Sequence, residues 1–340
     1  MQQNRAEIRL DYIRNNAEVF MNLVPQQKFC AVVKADAYGH GAVAVCQSLA
    51  RTADMFAVSL VEEGVQLRHA GIESDVLVLT PALNADEIVR GGILGLIFTV
   101  GDIRDYVLLA KIAEEYNIVV RCHIKIDTGM NRYGFSEKSF YYFLAKKFSD
   151  RVHIEGIYSH FYKPDDFAVA QKQFCLFRKI CEKAEYVFGA LLKHISATGG
   201  VLASRDFSLD MVRVGIGLYG YLPSGFHCDC PVKPAMRMYA DVVSSHSPVI
   251  GGAGYGDYPC PEQKISIIRA GYADGFFRQG NLQNINNLCM DAHLTLQRLK
   301  KYQKICIFSD ADEYAQKNQT ISYEVLVMLG RRAEKFYVEG

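Results

Sequence analysis

Five segments of this 340-residue chain end in side chains able to do carbonyl and proton chemistry. FCAVVKADAYGHG runs from an apolar stretch straight into Lys34, with Tyr38 and the glycines at 39 and 41 one loop further on. A lysine directly after a buried strand is either an exposed strand-end cation or a partly desolvated amine that forms a Schiff base with a carbonyl compound. HIKIDTGMNRYGF sets Lys125, Asp127 and Arg132 at a second segment end, and GIYSHF places His160 at a third. SATGG (196–200) supplies small residues, and MVRVGIG carries Arg213 ahead of Gly215 and Gly217. Backbone N–H groups left open by small residues are what a phosphate needs. Taken singly, each feature also reads as a solvated lysine, a satisfied buried histidine or a tight turn. They become one site only if a fold brings all five ends to one rim.

The elements between them predict such a fold. From residue 28 to about 220, β-branched apolar runs alternate with longer amphipathic ones. The strand-like runs are FCAVV (29–33), MFAVS (55–59), VLVLT (76–80), GLIFTV (95–100), VVRCHIKI (119–126), HIEGIYS (153–159), KHISA (193–197) and MVRVGIG (211–217). Between them, DIRDYVLLAKIAEEYN (102–117) and FAVAQKQFCLFRKICEKAEYVF (167–188) repeat apolar residues at spacings of three and four, as helices with one buried face do. Apolar strands alternating with helices imply parallel strands covered by helices, and eight units imply a closed (β/α)8 TIM-type barrel. The units at 55–59 and 95–100 are the weakest, and an open doubly wound sheet is the competitor. In a barrel the active site forms at the C-terminal ends of the strands, where all five segments end.

After Gly220 the texture changes. YLPSGFHCDCPVKP (221–234) is rich in turn residues. Beyond it, 237–249, 265–275, 287–291 and 304–310 read as short strands, with one helix-like stretch at 322–333. The expectation is a barrel over 11–230 followed by a smaller, mainly β domain over 231–340.

Composition narrows the function classes. Thirty-eight basic residues against 37 acidic ones leave a net charge of +1, which argues against a nucleic acid or anionic membrane held by bulk charge. No apolar run approaches the roughly 18–20 residues of a membrane span, and MQQNRAEIRLDYIRNN has no signal-peptide core, so a cytoplasmic protein is expected. The ten cysteines form neither a dense disulfide framework nor paired CxxC knuckles. Cys228 and Cys230 make a lone CxC, and reduced thiols without a metal are expected.

In order along the chain, AVVKADAYGHG, KIDTGMNRYGF, GIYSHF, VRVGIGLYG, GYG (254–256), GYADG (271–275) and CMD (289–291) resemble the bacterial alanine racemases. These are pyridoxal-phosphate enzymes with a barrel and a C-terminal β domain. The resemblance covers almost the whole chain, and it implies that residues 1–10 form a first strand joining the C-terminal domain. It also implies that Lys34 forms the Schiff base with pyridoxal 5′-phosphate and serves as one of two bases. Tyr255 resembles the opposing base, which reaches the cofactor from the partner subunit of a homodimer. Arg213 matches the arginine that faces the pyridine nitrogen, and His160 the histidine that links it to Tyr255. Tyr38, Thr198, Gly215, Ile216 and Tyr323 match cofactor contacts, chiefly to the phosphate. Arg132 resembles the residue that binds the substrate carboxylate, and Lys125 a lysine often carbamylated to steady that arginine. Met290 and Asp291, together with Tyr272, match groups that line the substrate.

The chemistry justifies this set independently. Racemisation removes the α-proton from one face and returns a proton on the other, so one base per face is the minimal solution. Tyrosine, with a reference pKa of about 10, is a poor base unless nearby cations stabilise its phenolate. An arginine opposite the pyridine nitrogen is donor-only; it disfavours ring protonation and limits side reactions such as transamination. Two departures stand out: the interval between GYADGF and CMD is shorter than in the family, and the family's Asn-Ser pair is Ala197-Thr198 here. The alternatives are a serine racemase of the same fold, a barrel-type amino-acid decarboxylase, and a non-catalytic cofactor-binding protein.

Overall fold

The computed structural model describes residues 4–226, 228–249, 251–252, 254–255, 263–278 and 285–340. Gly256 of the GYG motif and Cys260 lie outside the described residues. Strand β1 (Arg5–Arg9) opens the chain, and the barrel follows with β2 (Lys28–Val32), β3 (Met55–Val58), β4 (Asp75–Val78) and β5 (Ile97–Val100). It continues with β6 (Val120–Lys125), β7 (Val152–Tyr158), β8 (Leu192–His194) and β9 (Met211–Val214). All eight strand-like runs form, the two weakest included, and they lie parallel in the order β8-β7-β6-β5-β4-β3-β2-β9. The seam between β8 and β9 is bridged by Arg213 N donating to Ser196 O at 3.0 Å and Asp210 N to Lys193 O at 3.1 Å. This is a nearly closed eight-stranded barrel, and the open-sheet competitor is ruled out.

Strands β3, β5 and β9 are buried along their whole length, because one face looks into the barrel and the other is covered by helices. The helices start where capping residues permit. Asp102 accepts from Arg104 N and Asp105 N ahead of Ile103–Glu115, and Asp166 accepts from Val169 N ahead of Phe167–Phe188. The barrel interior is not wholly apolar. Thr99, His123, Tyr158, His194 and Arg213 are all buried within it, on the strands that lead to the C-terminal rim.

The remaining strands are β10 (Met236–His246), β11 (Ile265–Ile268), β12 (Ile285–Leu288), β13 (His293–Thr295), β14 (Lys304–Phe308) and β15 (Glu334–Val338). They form a second sheet in the order β12-β13-β11-β10-β1-β15, with β14 also on β10. Strand β1 runs antiparallel to β10 and parallel to β15, so the chain starts in this sheet before entering the barrel. Three differences from the sequence expectation have local causes. The expected strand 265–275 stops at Ile268, and GYADG is a turn: Gly271 N donates to Asp274 Oδ2 at 2.9 Å and Gly275 takes φ +93°. The polar helix Ala311–Asn318 has almost no apolar period to announce it and is started by the Asp310 cap. The helix expected over 322–333 ends at Gly330, and the last residues form β15.

Candidate active site

Lys34 leaves the end of β2 and enters an unusual turn. Ala35, Asp36, Ala37 and Tyr38 all have φ between +52° and +54°. Left-handed geometry costs non-glycine residues roughly 1–2 kcal/mol each, so the turn persists only if its surroundings impose it. Glu63 Oε1 accepts from Ala35 N at 2.6 Å, and Asp36 Oδ1 accepts from Ala42 N at 2.7 Å. From the other domain, Lys335 Nζ lies 3.0 Å from Asp36 Oδ2. Gly39 packs against Gly330 so closely that a Cβ there would sit 2.5 Å from Leu326 O and 2.9 Å from Gly330 Cα. Burial first, then the Arg132 charge, holds the Lys34 amine below its usual pKa. Glu63 opposes the shift, and Arg213 adds to it.

Lys34 opens into a cavity of about 820 Å³ at the C-terminal rim. Tyr38, Lys125, Arg132, His160, Thr198, Arg213, Gly215, Ile216 and Tyr323 line the same space, so the structure gathers ten of the fourteen residues expected at the site. Four cationic side chains face this cavity and Asp165 is the one carboxylate among its described lining residues, a balance suited to an anionic ligand. The small residues at 197–200 and 215 bring bare backbone to its wall. A Cβ on Gly215 would lie 2.6 Å from the Tyr38 hydroxyl, so this glycine leaves the space that the phenol occupies. Thr198 Oγ1 accepts from Gly217 N at 3.3 Å and ties the two small-residue segments together. Tyr38 in turn packs on Tyr219 and on Tyr323 of the C-terminal domain, with ring centroids 4.8 and 5.9 Å away.

Arg213 is buried and held from several sides. It donates to Ser159 O at 2.6 Å, Ile195 O at 3.2 Å, His194 Nδ1 at 2.5 Å and His160 Nδ1 at 3.3 Å. Arginine has no acceptor, so both histidines present a bare Nδ1 and carry their proton on Nε2. Burial, reinforced by Arg213, keeps both rings far below the usual histidine pKa, which agrees with neutral acceptors. His194 Nε2 then donates to His123 Nδ1 at 2.9 Å. His194 and His123 are not among the residues singled out in the sequence. Each sits inside an apolar run, HIKI or KHISA, where an imidazole on a buried strand is the available signal.

Lys125 is 2% exposed and lies 5.2 Å from the ring centroids of Tyr133 and Tyr158. Burial, then Arg213 and Arg132, push its amine down to about 7. Asp127 organises the following loop: its Oδ1 accepts from Gly129 N at 2.8 Å and Asn131 N at 3.1 Å, and its Oδ2 from Arg132 N at 3.2 Å. An aspartate capping its own loop in this way is a turn former, and it sets Arg132 over the Tyr133 ring at 5.1 Å.

Tyr255, Tyr272, Met290 and Asp291 do not line the cavity of their own chain. They lie in the C-terminal domain, where Asn287 Nδ2 donates to Tyr255 O at 3.1 Å and Tyr272 N to Cys289 O at 3.1 Å. Arg332 lies 3.2 Å from Asp291 and 3.6 Å from Asp274. Among the described residues no cluster of three His, Cys, Asp or Glu side chains could hold a metal, and no helix is long and apolar enough to cross a membrane.

Comparison with known proteins agrees with this geometry. The family model for the alanine racemase N-terminal domain matches residues 8–223, and that for the alanine racemase C-terminal domain matches 235–337. The alanine racemase of Desulfovibrio desulfuricans is 31% identical over 366 aligned positions covering 98% of both chains. That span exceeds the 340 residues here, so the relative carries additional residues. Among solved structures, alanine racemase of Clostridium difficile 630 superposes with a TM-score of 0.93 at 29% identity, covering 100% of this chain and 97% of that one. A second structure from that organism, in complex with cycloserine, gives 0.87 at 28% identity over 99% and 96%. Rim, barrel and β domain are thus shared along the whole length: the chain belongs to the alanine racemase family.

Proposed function

We propose that this chain interconverts L-alanine and D-alanine, with pyridoxal 5′-phosphate held at Lys34 and each working site completed by a second copy of the chain. The observation that carries the reading is the cavity at the barrel rim, where a desolvated lysine amine, a buried arginine and a glycine-lined wall meet. The residues fit the cofactor. Lys34 is a nucleophile with a lowered pKa, and the backbone N–H groups at 198–200 and 216 with the Tyr38 hydroxyl suit its phosphate. Tyr323 and Gly215 close that wall. When bound, the cofactor draws electron density from the substrate α-carbon and makes its proton removable.

The chain's own groups do the rest. Lys34 Nζ holds the proton on one face, and the partner's Tyr255 Oη holds it on the other. Arg213, a donor that does not give up its proton, would face the cofactor's ring nitrogen and disfavour its protonation. His160 accepts from Arg213 through Nδ1, which leaves its Nε2–H as the donor available to stabilise the Tyr255 phenolate. Arg132 binds the substrate carboxylate. Lys125, whose pKa is pushed down to about 7, has a neutral amine able to add to carbon dioxide with loss of one N–H proton to solvent, and the resulting carbamate would offset the positive charge of Arg132. Met290, Asp291 and Tyr272 of the partner line the substrate, and the intact Tyr323 and Met290 favour a methyl group. A homodimer in the cytoplasm is the setting this reading implies.

Purified protein supplied with L-alanine should form D-alanine under chiral detection, and L-serine should be the poorer substrate. Borohydride should fix the cofactor on the peptide containing Lys34. A chain that takes up no pyridoxal phosphate and turns over neither amino acid would sink the reading.

A further inference from the structure

His40 lies two residues beyond the left-handed turn and is 0% exposed. Its Nδ1 is 3.0 Å from Ala37 O and 3.0 Å from Tyr38 O. Carbonyl oxygens only accept, so Nδ1 carries the proton and donates to both. The other nitrogen, Nε2, is buried without a hydrogen-bond partner. Burial pushes the ring down to about 4, so it stays a neutral donor across the working range. The ring also stacks on Tyr219 at 4.4 Å, and Tyr219 donates to Val32 O at 2.9 Å, at the end of β2. One imidazole therefore binds the carbonyl side of the turn and rests on the ring that braces both Tyr38 and the strand before Lys34.

An unpartnered buried nitrogen is destabilising, and an apolar residue would fill the same space without it. What only the histidine supplies is the donor at Nδ1, placed at two carbonyls that the left-handed geometry turns inward. We propose that His40 is a positioning residue, whose Nδ1–H fixes the turn at 35–38 and thereby aims Lys34 and Tyr38 into the cavity. This rests on the reading that the cofactor is held at Lys34.

Two substitutions separate the donor from the ring. His40→Asn keeps a donor nitrogen on Cγ and loses the ring; His40→Phe keeps a ring to stack on Tyr219 and loses the donor. With His40→Phe, the Kd for pyridoxal 5′-phosphate should rise about tenfold, kcat should fall more than KM rises, and borohydride trapping at Lys34 should slow; His40→Asn should stay within about threefold of wild type. Unchanged affinity and trapping in folded His40→Phe would overturn the proposal, as would equal damage by both substitutions, which would reduce His40 to a space-filler. If His40→Phe does not fold, long-range proton–nitrogen NMR of the wild-type ring decides. A proton on Nδ1 supports the proposal and a proton on Nε2 overturns it. A wild-type chain that bound no cofactor would overturn the functional reading instead, with the NMR result still deciding the tautomer.

Discussion

At the barrel rim every reactive side chain has neighbours that fix it. Arg213 is gripped by two histidines and two carbonyls, Lys125 is sealed under two tyrosines, and Lys34 leaves a turn clamped from both domains. The face of the C-terminal domain carrying Tyr255 is built differently. Tyr255 is 68% exposed, Met290 53% and Tyr272 40%, three large side chains of the C-terminal domain left in water. On the proposed reading the first region supplies the anion-binding cradle and one base, and the second a phenol and apolar groups with no cradle. Each lacks what the other presents. A two-fold pairing would join one chain's cradle to the other's phenol twice over, and it would cover the exposed rings.

The largest effect should come from separating the halves. With Lys34 as the proposed covalent anchor and one of the two bases, Lys34→Ala should lower racemisation by about 10⁴-fold or more. With Tyr255 as the proposed opposing base, Tyr255→Phe should cost about 10²-fold or more and leave cofactor uptake intact. The loss should also be one-sided. In deuterated water, Tyr255→Phe should still exchange the α-proton of D-alanine through Lys34, while exchange from L-alanine collapses. Mixing the two variants under conditions of subunit exchange should restore activity, since a mixed dimer holds one intact site. No recovery despite proven exchange would mean that both halves of a site belong to one chain.

Much of the rim is legible in the sequence because a barrel converts linear order into position. Lys34, His160 and Thr198 each follow an apolar run, Lys125 and Arg213 sit within one, and eight such runs fix where those ends go. What holds them is less legible. Glu63, Lys335 and Gly330 touch the Lys34 turn from 28 to about 300 residues away, through contacts that no local period encodes. His194 is hidden for the opposite reason: an imidazole inside an apolar strand reads as core until Arg213 is seen beside it. In the C-terminal domain, GYADG reads as the end of a strand because its apolar lead-in continues into it, and glycine geometry overrides that pattern.

A smaller effect should sharpen what the cradle contributes. The methyl that alanine would add at Gly215 lies 2.6 Å from the Tyr38 hydroxyl. Tyr38 is packed between Tyr219 and Tyr323 and cannot swing clear without disturbing both. Gly215→Ala should therefore raise the Kd for pyridoxal 5′-phosphate about tenfold, the scale of one lost hydrogen bond to a charged group. Thermal stability of the cofactor-free protein should fall as well, because the methyl overpacks a buried ring, while the self-association proposed for the Tyr255 face should be nearly unchanged. Equal losses in cofactor affinity and self-association would show that the two regions are not separable.

The smallest effect concerns the link between the domains of one chain. Lys335 on β15 pairs with Asp36 at 3.0 Å, with side-chain exposures of 17% and 48%. A half-exposed pair is worth about 1 kcal/mol or less, since water screens it and ordering the lysine opposes it. Asp36 also accepts from Ala42 N, so removing the lysine leaves the carboxylate one partner and the turn most of its clamps. Lys335→Met keeps the aliphatic stem against the turn and deletes only the charge. The melting temperature should fall by about 2 °C at low salt and less at high salt, because a screened pair has less to lose. Cofactor affinity should weaken by no more than about threefold, with no change in behaviour of the Tyr255 face. A double-mutant cycle with Asp36→Asn isolates the pair. A coupling energy indistinguishable from zero would mean that the C-terminal domain braces the Lys34 turn through the Gly39–Gly330 packing and the Tyr38–Tyr323 contact, and that the ion pair is incidental.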